Sequence, residues 1–267
     1  MNKLEKVIVI KIGGATLGSH DTTIEDIIEL QKHGKSLVIV HGGGKVITEW
    51  LEKQKIPTRF VRGERVTDEA SLEVVTAVLG GLVNKEIVAA INDLGGHAIG
   101  ITGVDGALTQ CKARDKEMGY VGDVVKVNPY PLEALLTSGF VPVIAPIGLC
   151  SFDRAVKAPR LLNINGDTMA GEIAAAIAAE KLIFLTDVTG VCDRSGKLLP
   201  QLLPEEAEDL LTSGVASGGM IPKIKACLRA LATTPSTHII DGRQPHTLLK
   251  EVVEGNLGTT ITKKETR

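Results

Sequence analysis

Two glycine-rich turns that follow apolar runs are the first places where this sequence could do chemistry. In the run VIVIKIGGATLG, Lys11 lies two residues before Gly13 and three residues before Gly14. The run VIVHGGGKVITEWL puts His41 and three consecutive glycines at the start of a helical pattern. Glycines at a helix N-terminus leave backbone N–H groups uncovered, so an anion such as phosphate can approach them. Taken alone, either run is also explained by a turn without a ligand, with the lysine reaching out to water.

A polar segment before an alanine-rich helix is the second candidate. In LLNINGDTMAGEIAAAIAAE, Asn163, Asn165 and Asp167 occupy alternate positions, which places them on one side of an extended chain. Asp167 alone would be explained as a helix N-cap worth about 1 kcal/mol. The two preceding amides favour a polar binding site over a plain cap.

A lysine at an electrostatically unfavourable position is the third candidate. In SGGMIPKIKACLRAL, Pro222 suits the first turn of a helix and Lys223 follows it in the same turn. The helix dipole is positive there, so a lysine costs stability unless an anion lies in front of it. The pattern therefore favours a functional role for Lys223. The nearby run LTDVTGVCD is an acidic strand end with a glycine turn, which suits a nucleotide's ribose and base but also a simple β-turn.

Strand and helix patterns alternate along the chain, and this alternation would bring the three candidates to one edge of a sheet. Strands are predicted at residues 7–12, 37–40, 97–102, 140–144, 182–185 and 238–240, and a long helix with a weak point at Gly80 and Gly81 is predicted at 68–92. The alternation is typical of βαβ units and a mainly parallel sheet, whose ligands bind beyond the carboxyl ends of the strands. Residues 107–130 break the rhythm and are predicted to form short antiparallel strands.

The composition of the chain excludes several classes of protein. Its 267 residues, 43% of them hydrophobic, are enough for one large or two modest domains. A net charge of −2 and 3% aromatic residues argue against a nucleic-acid partner. We find no signal-peptide pattern and no continuous apolar run long enough to cross a membrane, and neither GxxxxGK[ST] nor GxGxxG occurs. A cytoplasmic protein is favoured, because its four cysteines lack the spacing of a zinc site or a disulfide framework: Cys111, Cys150, Cys192 and Cys227.

Taken together and in order, the motifs resemble those of the amino-acid kinase family. The resemblance is carried nearly end to end by KIGG, VIVHGGG, GERVTD, VNK, GYVGDVV, NINGD, LTDVTGV, SGGMIPK and LGTTI. It implies an α/β fold, a three-layer αβα sandwich around a mainly parallel sheet of about eight strands. It also implies an N-terminal lobe, 1–170, that binds an acyl amino acid and forms the dimer contact, and a C-terminal lobe, 171–267, that binds ATP. We expect the two lobes to share one continuous sheet.

The resemblance implies a role for each candidate residue. Lys11 and Lys223 resemble the pair that flanks the transferring phosphoryl group, and Asp167 resembles the residue that holds both lysines in position. Arg65, in GERVTD, resembles the clamp on the substrate's α-carboxylate. The other implied substrate-binding residues are Gly43, Gly44 and Asn163. The implied ATP-binding residues are Gly13, Gly14, Thr186, Asp187, Gly190, Val191, Ser217, Gly219 and Met220. Three residues depart from the usual family pattern: Lys45, Glu64 and Gly166.

The activity that the resemblance implies is phosphorylation of the γ-carboxylate of N-acetyl-L-glutamate by ATP with Mg²⁺, a step of arginine biosynthesis. A carboxylate is already an ionised nucleophile, so no general base is needed and we interpret His41 as structural. One alternative is a kinase for a related substrate such as N-acetyl-aminoadipate, and another is a non-catalytic sensor of amino acids or nucleotides. The joint presence of Lys11, Asp167 and Lys223 favours an enzyme over a sensor.

The resemblance also implies a homodimer joined around the predicted helix 68–92. Family members that arginine inhibits carry an additional helix before the first strand, and that helix links dimers into a hexameric ring. Only MNKLEK precedes Val7, which is fewer than two helical turns. We therefore expect a dimer whose activity does not respond to arginine.

Overall fold

The computed structural model describes residues 6–13, 22–61, 63–152 and 158–263. Gly14 and most of the segment MNKLEK, on which two of the expectations above depend, lie outside these ranges. The strands are β1 (Val7–Ile12), β2 (Ser36–His41), β3 (Phe60–Val61), β4 (Glu64–Arg65), β5 (Ala98–Thr102), β6 (Thr109–Ala113), β7 (Val121–Val127), β8 (Val141–Ala145), β9 (Ile147–Phe152), β10 (Leu161–Ile164), β11 (Lys181–Thr186), β12 (Gln201–Leu202), β13 (Ser236–Asp241) and β14 (Thr259–Thr262). The α-helices are α1 (Thr23–Lys32), α2 (Gly44–Lys53), α3 (Glu69–Thr76), α4 (Asn84–Asp93), α5 (Tyr130–Thr137), α6 (Gly166–Ala176), α7 (Pro204–Thr212), α8 (Met220–Ala230) and α9 (Thr247–Val253).

The main sheet has eight strands in the order β12–β14–β13–β11–β1–β2–β8–β5. Its neighbouring strands pair in parallel, except β13 and β14, which pair antiparallel. β1 lies at the centre, where Lys11 pairs with Val40 of β2 and with Phe184 of β11. The expectation of a mainly parallel α/β sheet of eight strands is confirmed.

Both faces of β1 are buried, and alternate residues face different cores. Val7 and Val9 pack with residues of α5, α6 and α8, whereas Ile8 and Ile10 pack with residues of α1, α2 and the long helix. A helical layer therefore covers each face of the sheet. By the same alternation Lys11 points to the side of α6 and α8, and this direction decides which charged residues it can meet.

The long helix predicted at 68–92 is observed as the helical run Glu69–Asp93. Its middle, Ala77–Val83, winds as a π-helix and contains both predicted weak points, Gly80 and Gly81. Among the described residues this is the one helix long and apolar enough to cross a membrane by length and composition, with a mean hydropathy of 1.7. The core helix of a protein that does not enter a membrane can have the same length and composition. Apolar residues of this helix from Val74 to Ile91 pack in the core that also contains Ile8 and Ile10 of β1.

A closed four-stranded barrel, β10–β7–β6–β9, accompanies the main sheet. The predicted antiparallel pair within 107–130 is confirmed as β6 and β7. The sequence analysis did not predict β9 and β10, which close the barrel. Only one residue, Pro146, separates β9 from β8, so no loop marks the start of a new strand. The barrel matters to function because β10 leads directly into α6.

The sheet is shared by strands from both halves of the chain, with β5, β8, β2 and β1 on one side and β11, β13, β14 and β12 on the other. The predicted lobe boundary near residue 170 falls within α6. The division into an acyl-amino-acid lobe, 1–170, and an ATP lobe, 171–267, stays a prediction.

Candidate active site

Lys11, Asp167 and Lys223 form one ion-paired group beside the carboxyl end of β1. The Nζ of Lys11 lies 2.7 Å from Oδ1 of Asp167, and the Nζ of Lys223 lies 3.1 Å from Oδ2. The Nζ of Lys223 also donates a hydrogen bond to the carbonyl of Gly219, at 3.1 Å. Lys11 is 8% exposed and Asp167 is 5% exposed, so the group is held within the protein. The three residues that the sequence analysis singled out separately thus share one carboxylate.

The packing of two helices brings these charges together. Asp167 is the second residue of α6 and Lys223 the fourth residue of α8, so both lie in a first helical turn. The helices approach so closely that a Cβ added to Gly171 would lie 2.8 Å from the carbonyl oxygen of Ala226. A glycine is therefore required at that crossing, and the crossing sets the distance between Asp167 and Lys223.

The electrostatic balance of the group favours a bound polyanion. Burial alone would raise the pKa of Asp167, but the ammonium groups of Lys11 and Lys223 outweigh it and hold that pKa below its usual range. Asp167 is therefore ionised, and the group has two positive charges and one negative charge. This net positive charge lies at the N-termini of two helices, where the dipoles also favour an anion.

Asn165, and not Asp167, is the N-cap of α6. The Oδ1 of Asn165 accepts hydrogen bonds from the N–H groups of Asp167, at 2.8 Å, and Thr168, at 3.2 Å. The prediction that Asn163, Asn165 and Asp167 share one side of an extended segment is wrong, because α6 begins at Gly166. Asn163 instead lies on β10, and its amide donates to the hydroxyl of Thr67, at 3.0 Å.

Arg65 faces a cavity of about 190 Å³ whose wall also contains residues 42–44 and Asn163. It is 8% exposed, and its guanidinium donates to the carbonyl of Gly44 at 3.1 Å and to the hydroxyl of Thr48 at 2.7 Å. The guanidinium also lies 4.8 Å from the ring centre of Phe60. Burial lowers the pKa of Arg65, but an arginine stays charged in a protein. Within the described ranges no carboxylate pairs with it, so the cavity contains a positive charge without an anionic partner.

The glycine turn after β2 is fixed from both sides. The N–H of Gly42 donates to the carbonyl of Ile12, at 3.0 Å. A Cβ added to Gly43 would lie 2.6 Å from Cδ2 of Leu79 in the long helix. Gly44 begins α2, whose first-turn N–H groups have no partner within the helix. The turn therefore offers N–H groups at the edge of the Arg65 cavity.

His41 is buried beneath this turn and is uncharged. Burial, the main cause, and the nearby Lys11 and Lys85 lower its pKa to about 4. Its Nδ1 lies 2.8 Å from the carbonyl of Gly42, and its Nε2 lies 3.2 Å from the amide nitrogen of Asn84. Each ring nitrogen is occupied by the protein, which fits the structural role expected for His41.

The predicted nucleotide residues that the structure describes lie near the carboxyl ends of β1 and β11 and at the start of α8. The N–H of Gly13 donates to the carbonyl of Leu185, at 3.2 Å, so this turn is joined to β11. The hydroxyl of Thr186 lies 2.9 Å from the carbonyl of Val188 and 3.0 Å from that of Ile240. Asp187, Ser217 and Gly219 are exposed, Met220 is partly exposed, and Gly190 and Val191 are buried.

A model of the amino acid kinase family matches residues 6–241. The chain belongs to the amino acid kinase family. It is 50% identical over 261 residues to an acetylglutamate kinase of Dehalococcoides mccartyi strain CBDB1, an alignment that covers 98% of this chain and 96% of the relative. It is 45% identical over 266 residues to an acetylglutamate kinase of Cereibacter sphaeroides strain ATCC 17029, covering 98% and 89%. Among solved structures, smu.665 from Streptococcus mutans UA159 superposes with a TM-score of 0.81 at 31% identity, covering 97% and 99%.

This amino acid kinase also has site residues that the sequence analysis missed. Asn165 was assigned to the polar segment, but its role as the N-cap was missed; that role could have been found, because asparagine is a preferred N-cap residue and directly precedes the helix. Thr48 and Thr67 gave no signal, because their partners are distant in the sequence. Arg65 is 17 residues from Thr48, and Asn163 is 96 residues from Thr67. Arg114 was missed for the same reason. It lines a second cavity of about 670 Å³ and pairs with two carboxylates that are 50 and 9 residues away.

Proposed function

We propose that this amino acid kinase transfers the γ-phosphoryl group of ATP to the γ-carboxylate of N-acetyl-L-glutamate. Relatives that are 45–50% identical to this chain are named acetylglutamate kinase, and the alignments cover 89–96% of their length. The observation that carries the proposal is the buried guanidinium of Arg65, which faces a small cavity next to the Lys11–Asp167–Lys223 group. A dicarboxylic acyl amino acid fits this arrangement, with one carboxylate at Arg65 and the other directed to the phosphoryl group.

The main obstacle to this reaction is repulsion between an anionic nucleophile and a polyanionic phosphate. Lys11 and Lys223 oppose that repulsion, because Asp167 fixes their ammonium groups before the substrates arrive. The N–H groups of Gly43 and Gly44 add uncharged donors at the edge of the cavity. His41 takes no part in proton transfer, since a carboxylate has no proton to lose at neutral pH.

The expected role of Mg²⁺ fits a metal carried by the nucleotide. Among the described residues no group of three His, Cys, Asp or Glu side chains could hold a metal ion, and the carboxylate of Asp167 already faces two ammonium groups. Mg²⁺ commonly keeps several water ligands and binds through substrate phosphates. Bound in this way, it would neutralise phosphate charge during the transfer.

The nucleotide is assigned to the C-terminal half of the chain. The turn at residues 186–191 follows β11, the loop at residues 217–220 leads into the first turn of α8, where Lys223 lies, and the exposed Asp187 suits a ribose hydroxyl. Gly13 and Gly14 complete the implied phosphate contacts. Val191 is buried, its N–H donates to the hydroxyl of Thr259 and its carbonyl accepts from Leu199, so it would support the turn and make no polar contact with the nucleotide.

A homodimer is proposed to form around the helical run Glu69–Asp93. The exposed positions along it include the small residues Ala77, Gly81 and Ala89, which would let the same helix of a second copy approach closely. Sedimentation velocity should give about twice the chain mass of 28.2 kDa. The cytoplasm is the proposed compartment, and the free thiols Cys111 and Cys227, both buried, suit its reducing conditions.

The activity is tested by trapping the acyl phosphate with hydroxylamine. We expect an ATP-dependent hydroxamate with N-acetyl-L-glutamate and a lower kcat/KM with N-acetyl-aminoadipate. Arg65→Ala should raise KM for the acyl amino acid by roughly ten- to a hundred-fold, as for the loss of a hydrogen bond to a charged group, and should spare KM for ATP. A higher kcat/KM for the aminoadipate derivative, or no hydroxamate with either substrate, would contradict the proposal.

A further inference from the structure

The hairpin formed by β3 and β4, residues 60–65, separates two cavities. The smaller cavity contains Arg65, and the larger cavity of about 670 Å³ lies on the other side, toward α6 and α8. Gly63 and Glu64 line both cavities, so this part of the hairpin is a thin wall between them. Each hairpin strand has only two residues, and an isolated hairpin even of ordinary length is marginally stable. Contacts from outside the hairpin must therefore fix its position.

Arg114 joins this hairpin to the barrel. Its Nη1 lies 2.5 Å from Oε2 of Glu64 on β4, and its Nε lies 2.8 Å from Oδ1 of Asp123 on β7. The N–H of Arg114 donates to the carbonyl of Val121, at 3.0 Å, so its backbone is fixed to the same barrel strand. The side chain is 26% exposed, which leaves these ion pairs partly shielded from salt. A planar guanidinium that contacts two carboxylates in this way holds them in a fixed relative geometry.

The other contacts of the hairpin hold its base. The N–H of Thr67 donates to the carbonyl of Met118 at 3.1 Å, and the N–H of Tyr120 donates to the carbonyl of Thr67 at 2.7 Å. The ion pair between Arg59 and Glu117 is 3.9 Å long, and both side chains are more than half exposed, so it contributes little. The Glu64–Arg114 ion pair holds the hairpin next to its turn.

The direction of side chains along β4 connects this ion pair to the substrate cavity. Glu64 and Arg65 are consecutive residues of one strand, so their side chains point to opposite faces. Glu64 points outward to Arg114, whereas Arg65 points inward to Gly44 and Thr48. A displacement of Glu64 would therefore move the guanidinium of Arg65 away from the carboxylate it is assigned to bind.

We propose that Arg114 is a positioning residue of the acyl-amino-acid site. Its ion pairs with Glu64 and Asp123 hold the hairpin in the position from which Arg65 binds the substrate carboxylate. The inference rests on the proposed function for the identity of that substrate, but the positioning of the hairpin does not depend on it.

The test compares Arg114→Met, which keeps the length of the side chain and removes its charge, with the wild type. We expect KM for N-acetyl-L-glutamate to rise about ten-fold because fewer molecules have the hairpin in place, while kcat and KM for ATP stay within two-fold. Hydrogen exchange of the amides of residues 58–67 in the substrate-free protein should become faster. Arg114→Lys, which can reach one carboxylate but not both, should give a smaller rise in KM.

Arg229→Met is the matched control. Arg229 lines the same cavity of about 670 Å³, but it belongs to α8, and its Nε pairs with Oε1 of Glu172 on α6, at 2.9 Å, and not with a carboxylate of the hairpin. We expect this variant to leave KM and the exchange of residues 58–67 unchanged. The double variant Glu64→Gln/Arg114→Met should have nearly the same KM as Arg114→Met, because both changes break the same contact.

Two results would overturn the inference. One is an Arg114→Met protein whose KM and hairpin exchange match those of the wild type, and the other is an equal change in Arg229→Met. If the wild type gave no hydroxamate with N-acetyl-L-glutamate, the proposed function would be wrong, and the exchange measurement on the free protein would still decide whether Arg114 holds the hairpin.

Discussion

The amide of Asn84 donates a hydrogen bond to the unprotonated Nε2 of His41, at 3.2 Å, across two buried elements. The tautomer follows from the other ring nitrogen, because the carbonyl of Gly42 accepts at 2.8 Å and can only do so from a protonated Nδ1. The amide of Asn84 also donates to the carbonyl of Val143 at 2.9 Å, so β2, β8 and the long helix meet at this residue. A neutral imidazole is thus part of the support of the glycine turn.

This pair predicts a dependence of stability on pH. The pKa of His41 is lowered from 6.5 to about 4, so between these values the unfolded chain binds a proton at His41 and the folded chain does not. The free energy of unfolding must therefore fall as pH is lowered from about 7 to about 4, and this residue should contribute about 3 kcal/mol of the loss. Urea unfolding of the wild type and of His41→Asn, which can still donate to Gly42, measures the difference. Equal pH profiles for the two proteins would show that His41 titrates normally.

The ammonium group of Lys223 is expected to act on the transition state more than on substrate binding. Lys223→Ala should lower kcat by roughly a hundred- to a thousand-fold with a modest change in KM for ATP, as for the loss of one preorganised donor. Lys225→Ala is the matched control. Lys225 is an exposed lysine on the same helix, and it lines the larger cavity of about 670 Å³. Steady-state ADP release measures both variants. A kcat for Lys223→Ala near that of the wild type would show that Lys223 does not act on the phosphoryl group.

Asp167 is expected to contribute to stability as well as to activity, because it is the anion between two ammonium groups and not the helix cap. Asp167→Asn should destabilise the protein by about 3 kcal/mol, as for the removal of one partner of a buried ion pair, and should abolish most activity. Asn165→Ala should cost about 1 kcal/mol through the lost cap. Thermal unfolding ranks the two variants. The double variant Asp167→Asn/Lys223→Met should recover part of the stability but none of the activity, and a less stable double variant would contradict this electrostatic explanation.

Gly166 is expected to tolerate a methyl group, whereas Gly43 and Gly171 have no space for one. A Cβ added there would lie 3.4 Å from the carbonyl of His41 and 3.5 Å from Cε of Lys11, which are ordinary contacts. Gly166→Ala should stabilise the protein by about 0.5–1 kcal/mol, since alanine restricts the unfolded chain more than glycine does. Gly171→Ala is the control, and we expect it to destabilise because of its close approach to Ala226. Melting temperatures that fall for both variants would show that Gly166 is under strain not visible in its contacts.

The central sheet could be predicted from the sequence because its strands have strong local signals. β1, β2 and β11 are buried on both faces, and therefore are runs of branched apolar residues that need no partner to be recognised. The π-helical turn was predicted as a weak point because Gly80 and Gly81 have the lowest helix propensity short of proline. β9 and β10 were missed because they are defined by pairing with each other and with β6 and β7, at distances along the chain that local patterns do not report.

Some residues of the candidate site could likewise be predicted from local sequence patterns, and others could not. Lys11 and Lys223 could be found because each is at odds with its local surroundings, a buried strand in one case and a positive helix end in the other. Asp167 lies between the two lysines, and the alternative explanation of Asp167 as the N-cap is wrong, because Asn165, two residues earlier, caps α6. Arg114 could not be found, because its role depends on ion pairs with Glu64 and Asp123. Only the folded barrel brings those two carboxylates together.

The position of β1 in the middle of the sheet has a consequence for the order in which the molecule assembles during synthesis. β2 follows soon after β1 along the chain and can pair with one of its edges early, whereas the other edge needs β11, which begins at Lys181. Until the ribosome has released β11, the open backbone groups of an apolar strand are available to any other chain, and long-range parallel pairing of this kind forms slowly. Lys223 is made later still. A nascent chain thus has both pairing partners of β1 available before it can join the two ammonium groups through Asp167.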